Sequence, residues 1–176
     1  MQSETPNGHP VEGPSPAHSD EQTPPDCFRI DELQALQSFE HHLLADVNYY
    51  LWLNRAGDSS EIVYRFLYFL ELIFEDNGSL LLTSGEDSTA IRVSDAEMLL
   101  HTARELQNLH SQVSIQRLNA GAFPLWQPAI GKNLAAINLP RHENGLFAND
   151  ALQLDFGSHQ LIIQLSQNEG LEIIEN

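Results

Sequence analysis

Cysteine and basic residues are scarce in this sequence. Cys27 is the only cysteine, so no disulfide can form within the chain and nothing points to an oxidising compartment. Eight basic residues stand against 25 acidic ones, and Lys132 is the only lysine. Nucleic acids and anionic membrane surfaces are both recognised through clustered Lys and Arg. The composition therefore argues against both partners. It permits a basic protein partner, but simple solubility is the preferred interpretation of the acidic charge.

Long apolar segments are also missing. The longest apolar run, residues 62–74, is interrupted by Arg65 and Glu71, and it is too short and too charged to span a bilayer. The N-terminus lacks the basic and apolar regions of a signal peptide. We therefore expect a soluble cytoplasmic protein, with no membrane as a partner.

The first 27 residues form a compositionally distinct segment. They contain six of the nine prolines and five acidic residues, but no basic or aromatic residue. Such a segment buries too little apolar surface to offset the entropy lost on ordering. We predict that residues 1–27 are a disordered acidic tail, or order only against another chain, and that residues 28–176 are a single domain.

The domain contains a series of apolar blocks that occurs twice in the same order. The first series is Leu44–Asn48, Leu70–Phe74, Leu80–Leu82 and Ala90–Val93, and the second is Leu134–Asn138, Leu152–Phe156, Leu161–Ile163 and Gly170–Ile173. The offset between them falls from 90 to 80 residues, and the lost residues lie between the blocks. Alternating Leu and Ile also recur by chance, but fixed-order similarity is typical of internal repeats.

This repetition predicts the fold class. We expect an α+β domain made of a duplicated helix-plus-four-strand unit, with repeats at about 31–93 and 94–174 related by a pseudo-twofold axis. The two helices and eight or nine strands would form one or two mostly antiparallel sheets.

The segment Phe66–Glu75 is the most apolar predicted strand, and its two faces are both largely apolar. A helix or a second subunit should therefore cover the second face. A helix over residues 60–75 is the competing interpretation, because periodicity alone does not settle a run of this length. Asn77-Gly78 is predicted to form the centre of the following hairpin turn.

Capping residues predict where the two helices begin. Asp31 with Gln34 should cap a short first helix, and Ser94 with Glu97 should open a longer helix that ends at about Leu109. The longer helix carries an apolar stripe at helical spacing, composed of Ala96, Leu99, Leu100, Ala103 and Leu106.

Signatures of catalysis, of nucleotide binding and of metal binding are absent from the sequence. His101 and His110 would face opposite sides of one helix, so they cannot share a metal within the chain. We therefore predict no catalytic, cofactor-binding or metal-binding residues and no cofactor. A zinc site assembled from distant histidines and acids remains an open alternative.

The functional hypotheses follow from these patterns. The first is a non-enzymatic protein–protein interaction or assembly module, expected to be a homodimer, with an acidic inhibitor of a basic protein as a variant. The second is a small-molecule-binding protein or an enzyme that uses a cleft between the two halves. Its polar lining would come from Tyr49, His101, Arg117, Trp126 and Asp150. Trp126 has an alternative role as a plug at one end of the core.

Overall fold

The computed structural model describes residues 23–54, 64–85, 88–109, 113–166 and 168–176. The two helices are α1 (Ile30–Ser38) and α2 (Ala96–Leu109). The strands are β1 (Leu44–Asn54), β2 (Tyr64–Phe74), β3 (Gly78–Thr83), β4 (Arg92–Ser94), β5 (Val113–Asn119), β6 (Ala136–Asn138), β7 (Ala151–Asp155), β8 (Gln160–Ser166) and β9 (Gly170–Glu175). Residues 1–22, which make up most of the predicted tail, lie outside the described residues.

The nine strands form a single curled sheet that consists of two antiparallel meanders. Strands β1 to β4 form the first meander, and strands β6 to β9 form the second. Strand β5 adds to the free edge of β1. The meanders are joined where β2 meets β9, the one parallel pairing among the described strands. The predicted α+β class with two helices and a mostly antiparallel sheet is therefore confirmed.

A second junction closes the curl between the segments that precede β1 and β6. Its four backbone hydrogen bonds run from His41 to Leu134, Gly131 to Leu44, Leu134 to His42, and Leu44 to Lys132, each from N–H to carbonyl. Leu43 and Asn133 face each other between them in an isolated bridge. His41 and Gly131 both have positive φ, at 69° and 74°, which turns each segment into the junction.

The inner face of the sheet holds the main core. On β2, Leu70, Leu72 and Phe74 alternate along the strand and are at most 2% exposed. The strand interpretation of Phe66–Glu75 is confirmed for residues 66–74, and the helical alternative is wrong for residues 64–74, because β2 pairs with β1 on one edge and with β3 on the other. The helical alternative also covered residues 60–63, which lie outside the described residues.

A helix supplies part of the cover that the second face of β2 requires. The register shifts between Tyr50 and Leu51 of β1, which leaves Tyr68 as an extra residue on β2. Tyr68 and Phe69 therefore join one outer cluster with Leu81, and Leu99 of α2 packs on it. Leu100, which the sequence placed on the same apolar stripe, is 56% exposed. The apolar stripe of α2 is thus narrower than its spacing predicted.

Both predicted helix caps are displaced. Helix α1 begins at Ile30, so Asp31 lies in its first turn, and the capping box joins Arg29 to Glu32 instead of Asp31 to Gln34. At the start of α2 the cap is Asp95 rather than Ser94, because the Asp95 carboxylate accepts the Met98 N–H at 2.7 Å. At α2 the capping carboxylate lies one residue after the predicted Ser94. At α1 the bond present is from the Arg29 N–H to Glu32 Oε2 at 2.9 Å, which depends on the position of the glutamate and not on a capping side chain at Asp31.

The turn between β2 and β3 also differs from its prediction. Residues 75–77 form the turn, and Gly78 already pairs with Phe74. Gly78 has a φ of +75°, which glycine adopts without strain. The connection is therefore a three-residue loop that ends at Asn77 and is followed by Gly78 in the left-handed conformation. Asn77 and Gly78 do not form the centre of a two-residue turn.

Candidate functional site

The parallel junction between β2 and β9 opens into a groove. The two strands pair at Leu67 and Gly170. Gly170 has a φ of +79°, and a Cβ atom there would come within 2.3 Å of the Leu67 carbonyl oxygen. Only glycine fits this close approach. Beyond it the strands diverge and leave a groove of about 460 Å³.

The groove has an apolar floor and a charged rim. Its floor is formed by Tyr49, Leu51, Leu67, Leu171 and Ile173, and its rim by Arg65, Glu169 and Glu172. Leu67 and Leu171 are buried, at 7% and 2% exposure, so they are fixed by the core beneath them. Sites that bind ligands or peptide side chains have this composition, an apolar base with a few polar groups around it.

One wall of the groove is a strand edge. The Leu67 N–H donates to the Glu169 carbonyl at 2.8 Å across the junction. Backbone groups of a strand point alternately to its two edges. Arg65, two residues earlier, therefore directs its N–H and C=O to the same edge as Leu67. Among the described residues, the pairing of β2 with β9 is confined to Leu67–Gly170. We call residues 65–67 and 170–173 with this groove the open seam.

An equivalent strand edge in the second meander is covered by the chain itself. The segment just before β7 pairs with residues 24–28, which we call the strap. The Phe28 N–H donates to Phe147 O at 2.9 Å, and the Asn149 N–H donates to Asp26 O at 3.2 Å. Cys27 lies opposite Ala148 in an antiparallel bridge. We call residues 147–149, the strap and Ile91–Arg92 the occupied seam.

Side chains lock the strap in place. Arg92 donates to the carbonyl oxygens of Pro25 and Cys27 at 2.6 and 3.0 Å. The same guanidinium contacts the Glu32 carboxylate at 3.2 Å, and the Glu32 side chain is only 2% exposed. The Phe28 ring is 3% exposed and belongs to the main core. The last residues of the predicted tail are therefore attached to the domain.

The outer face of β1 and β2 carries a polar network. Asn48 Nδ2 and the Tyr50 hydroxyl both donate to Glu71 Oε2 at 2.9 Å. Burial, together with the hydrogen bond to Glu71, raises the pKa of Tyr50 to about 12. Asn48 is 0% exposed, and its Oδ1 has no hydrogen-bond partner among the described residues. The network ties β1 to β2, with Asn48 closed to solvent and Tyr50 and Glu71 half-buried.

Three potential metal ligands meet where the strap contacts the loop after β6. The Asp26 carboxylate lies 3.8 Å from Cys27 Sγ and 3.6 Å from His142 Nε2. Zinc would bring such atoms to roughly 3.3–3.6 Å of one another. Burial, and then the neighbouring Asp26 charge, raise the pKa of the Cys27 thiol, which opposes the thiolate that a metal needs. Hydrogen bonding of the strap accounts for the cluster better than a metal does.

The structure brings together two of the five cleft residues proposed from sequence. Trp126 is 0% exposed, and its Nε1–H donates to the Tyr49 hydroxyl at 2.6 Å. Burial raises the pKa of Tyr49. Trp126 is thus a core residue beneath the groove, as its alternative role as a plug anticipated.

The other three residues lie elsewhere. His101 is on the exposed side of α2, 3.5 Å from Glu105, and Arg117 is on β5 opposite Tyr50. Asp150 is exposed just before β7. The five side chains therefore do not form one pocket. Sequence reasoning missed Arg65 and Glu172 because they come together only through the β2–β9 junction.

Comparison of the chain with protein-family models, with curated proteins and with solved structures finds no match. Among the described residues, no helix is long and apolar enough to cross a membrane.

Proposed function

We propose that this protein is a non-enzymatic protein-binding module and that its open seam holds a segment of a partner protein. The observation that carries the proposal is the groove between β2 and β9, with its buried apolar floor at Leu67 and Leu171 and its charged rim. Apolar anchors with a polar rim are the general features of protein recognition. Catalysis would need converging polar groups, and the cleft residues considered for it are scattered.

The acidity of the chain sets the partner's chemistry. The formal net charge is −17, and Glu169 and Glu172 stand on the rim of the groove opposite Arg65. Electrostatic complementarity speeds association and selects partners of opposite charge. The partner is therefore a protein with a basic binding segment. The acidic inhibitor predicted from sequence is one form of this function, in which the bound partner is a basic enzyme or toxin.

We also propose that the two meanders are copies of one unit, as the repeated blocks predicted. The junction supports this. His41 aligns with Gly131 and Leu44 aligns with Leu134, each 90 positions later. The hydrogen bond from His41 to Leu134 therefore has its counterpart in the hydrogen bond from Gly131 to Leu44. Leu72 pairs with Leu80, and the aligned Leu154 pairs with Leu161. An experimental structure with a different register in β6 to β9 would contradict the duplication.

The test of the binding function is a selection from a random peptide library displayed on phage, with the full chain as bait. We expect enrichment of peptides that combine apolar residues with Lys or Arg. Ile173→Arg, on the groove floor, should abolish their binding. Ile162→Arg is the matched control, because Ile162 is also half-buried but lies on β8 away from the groove. Equal binding by the two variants would contradict the proposal.

A surface variant separates loss of binding from loss of folding. Glu172→Lys reverses one rim charge without removing apolar packing, and Glu75→Lys makes the same change in the exposed turn after β2. We expect only Glu172→Lys to weaken the selected peptides. Binding that is unaffected by Glu172→Lys would argue against the groove.

Homodimer formation is a separate part of the proposal. Native mass spectrometry of the full chain at micromolar concentration reads the subunit number directly. A dimer mass supports the expectation from sequence. A monomer across the concentration range removes the dimer and leaves the basic partner proposed for the open seam unaffected.

A further inference from the structure

We infer that the open seam takes its partner as an extended segment that pairs with the backbone of Arg65 on β2, in the way that the strap pairs with Phe147. This inference rests on the proposed function and specifies how the groove binds. The partner segment is extended, carries an aromatic or large aliphatic anchor, and bears Lys or Arg beside that anchor.

The backbone of the two seams supports the same pairing at Arg65 but not at Leu67, because the Asn149 N–H bonds to the strap whereas the Leu67 N–H already donates to Glu169 O. Arg65 lies 82 positions before Phe147, and Leu67 lies 82 positions before Asn149. The same offset aligns Leu70 with Leu152 in the repeated blocks. Asn149 accepts the Ile91 N–H at 2.6 Å, and Leu67 pairs with β9 at Gly170, next to Leu171, the residue aligned with Ile91. The Phe147 carbonyl accepts the Phe28 N–H. The carbonyl aligned with it is that of Arg65, which faces the groove.

Unpaired strand edges recruit extended peptides because each added residue can form backbone hydrogen bonds, while pockets for alternate side chains give specificity. The occupied seam shows such a pairing within this chain: two backbone hydrogen bonds flank the Cys27–Ala148 bridge, and Phe28 fills an apolar pocket at 3% exposure. In the open seam, Leu51, Leu67 and Ile173 form the corresponding apolar floor.

The charged side chain at the aligned position differs between the two seams, so the strap and the occupant of the open seam differ in chemistry. Arg92 of the occupied seam donates to two strap carbonyls, at 2.6 and 3.0 Å. The residue aligned with Arg92, 80 positions later, is Glu172, which is an acceptor and lies on the rim with Glu169. Glu172 also accepts a hydrogen bond from Gln164, and Arg65 on the same rim is itself a donor, so the groups that favour a donor from the occupant are the two carboxylates. Charged Lys or Arg donors form stronger hydrogen bonds to carboxylates than neutral donors do.

This charge requirement also argues against an occupant from the same chain. Residues 1–22 contain four acidic residues and no basic one. A second copy of the chain brings a formal charge of −17 toward a rim that holds two glutamates and one arginine. A basic segment of a different protein is the occupant that these charges favour.

The experiment uses the full chain and one synthetic peptide that copies residues 23–30 with Asp26→Lys and Cys27→Ser. We expect saturable binding, with slower hydrogen exchange at the Arg65 amide. An otherwise identical peptide N-methylated at the position of Phe28 loses one donor to the Arg65 carbonyl and should bind at least tenfold more weakly. A third peptide with Glu in place of the introduced Lys should also bind more weakly, by a factor that shrinks as salt is added.

The outcomes distinguish the inference from the function on which it rests. One outcome contradicts strand addition but not protein binding. In it, Ile173→Arg abolishes peptide binding, but the peptide does not slow hydrogen exchange at the Arg65 amide, and the N-methylated peptide binds as tightly as the unmodified one. Binding that is equal in wild type and Ile173→Arg contradicts both. Perturbation of Phe147 and Asn149 instead of Arg65 means that the peptide displaces the strap, which contradicts the inference. Absence of binding at millimolar peptide does so as well.

Discussion

The two seams of the sheet present similar strand edges in different states. In the occupied seam, the strap completes the pairing at Phe147–Asn149, and Arg92 fixes its carbonyls. In the open seam, β2 and β9 touch at Leu67 and Gly170 and then separate around a groove. The strand edge before β7 is thus paired by the chain itself, whereas the described pairing at β2 is limited to Leu67–Gly170, and Glu172 stands where the repeated blocks align with Arg92.

The occupied seam should contribute strongly to stability, and Phe28→Ala breaks it most directly. Phe28 is 3% exposed in the main core, so its truncation should cost about 3–5 kcal/mol of unfolding free energy. Phe123→Ala is the matched control, because Phe123 is 37% exposed and should cost about 1 kcal/mol or less. Denaturant unfolding measures both. Equal losses would mean that the strap is not part of the cooperative fold.

Arg92→Ala compares the two rims. Removing the guanidinium leaves the buried Glu32 carboxylate without its ion pair and frees two strap carbonyls, so we expect a loss of about 3 kcal/mol. Glu172→Ala, at the aligned position of the open seam, loses the hydrogen bond from Gln164 and should cost about 1 kcal/mol. Chemical denaturation of the two variants side by side checks the ratio. A larger loss for Glu172→Ala would reverse the comparison.

Gly170→Ala tests the close approach that starts the open seam. The added Cβ meets the Leu67 carbonyl at 2.3 Å and the φ of +79° is unfavourable for alanine, so we expect a loss of about 2–3 kcal/mol. Gly157→Ala shares the positive φ but meets nothing within 4 Å, and it should cost about 1 kcal/mol. Thermal unfolding compares them. Similar melting temperatures would show that β2 and β9 do not approach as closely as described.

The polar network on the outer face gives the smallest effect, one that depends on pH. The pKa of Tyr50 is raised to about 12, above its ordinary value of 10.0. A raised folded pKa stabilises the protein below the unfolded pKa, and that contribution is lost as pH rises through the folded value. Wild type should therefore lose stability between pH 10 and 12, and Tyr50→Phe should lose less. If the unfolding free energies of wild type and Tyr50→Phe fell by the same amount between pH 10 and 12, the hydrogen bond from Tyr50 to Glu71 would be contradicted.

Sequence alone predicted the elements better than their arrangement. The strand predicted at residues 66–75 followed from its match to the block Leu152–Phe156, and α2 followed from its cap and its spacing. The apolar stripe failed at Leu100, because α2 contacts the sheet along a narrower line than its hydrophobicity suggests. Local rules place a helix or strand, but they do not say how closely it packs on its neighbour.

The candidate site was out of reach of sequence reasoning for a different physical reason. Arg65 and Glu172 are more than 100 residues apart and meet only where the two meanders join. Proline-rich composition likewise hid the strap, since its attachment depends on Arg92 and Asn149 from distant strands. Long-range pairing of this kind leaves no local pattern to read.

The most direct test of the account is an NMR measurement on the full chain bound to the basic peptide described above. Cross-strand nuclear Overhauser effects should connect the peptide backbone with Arg65, and effects of the same kind should connect Cys27 with Ala148 within the chain. That result would establish the open seam as the partner-binding strand edge. Contacts from the peptide to the outer face around Tyr50 and Glu71 instead, with none to Arg65, would contradict it.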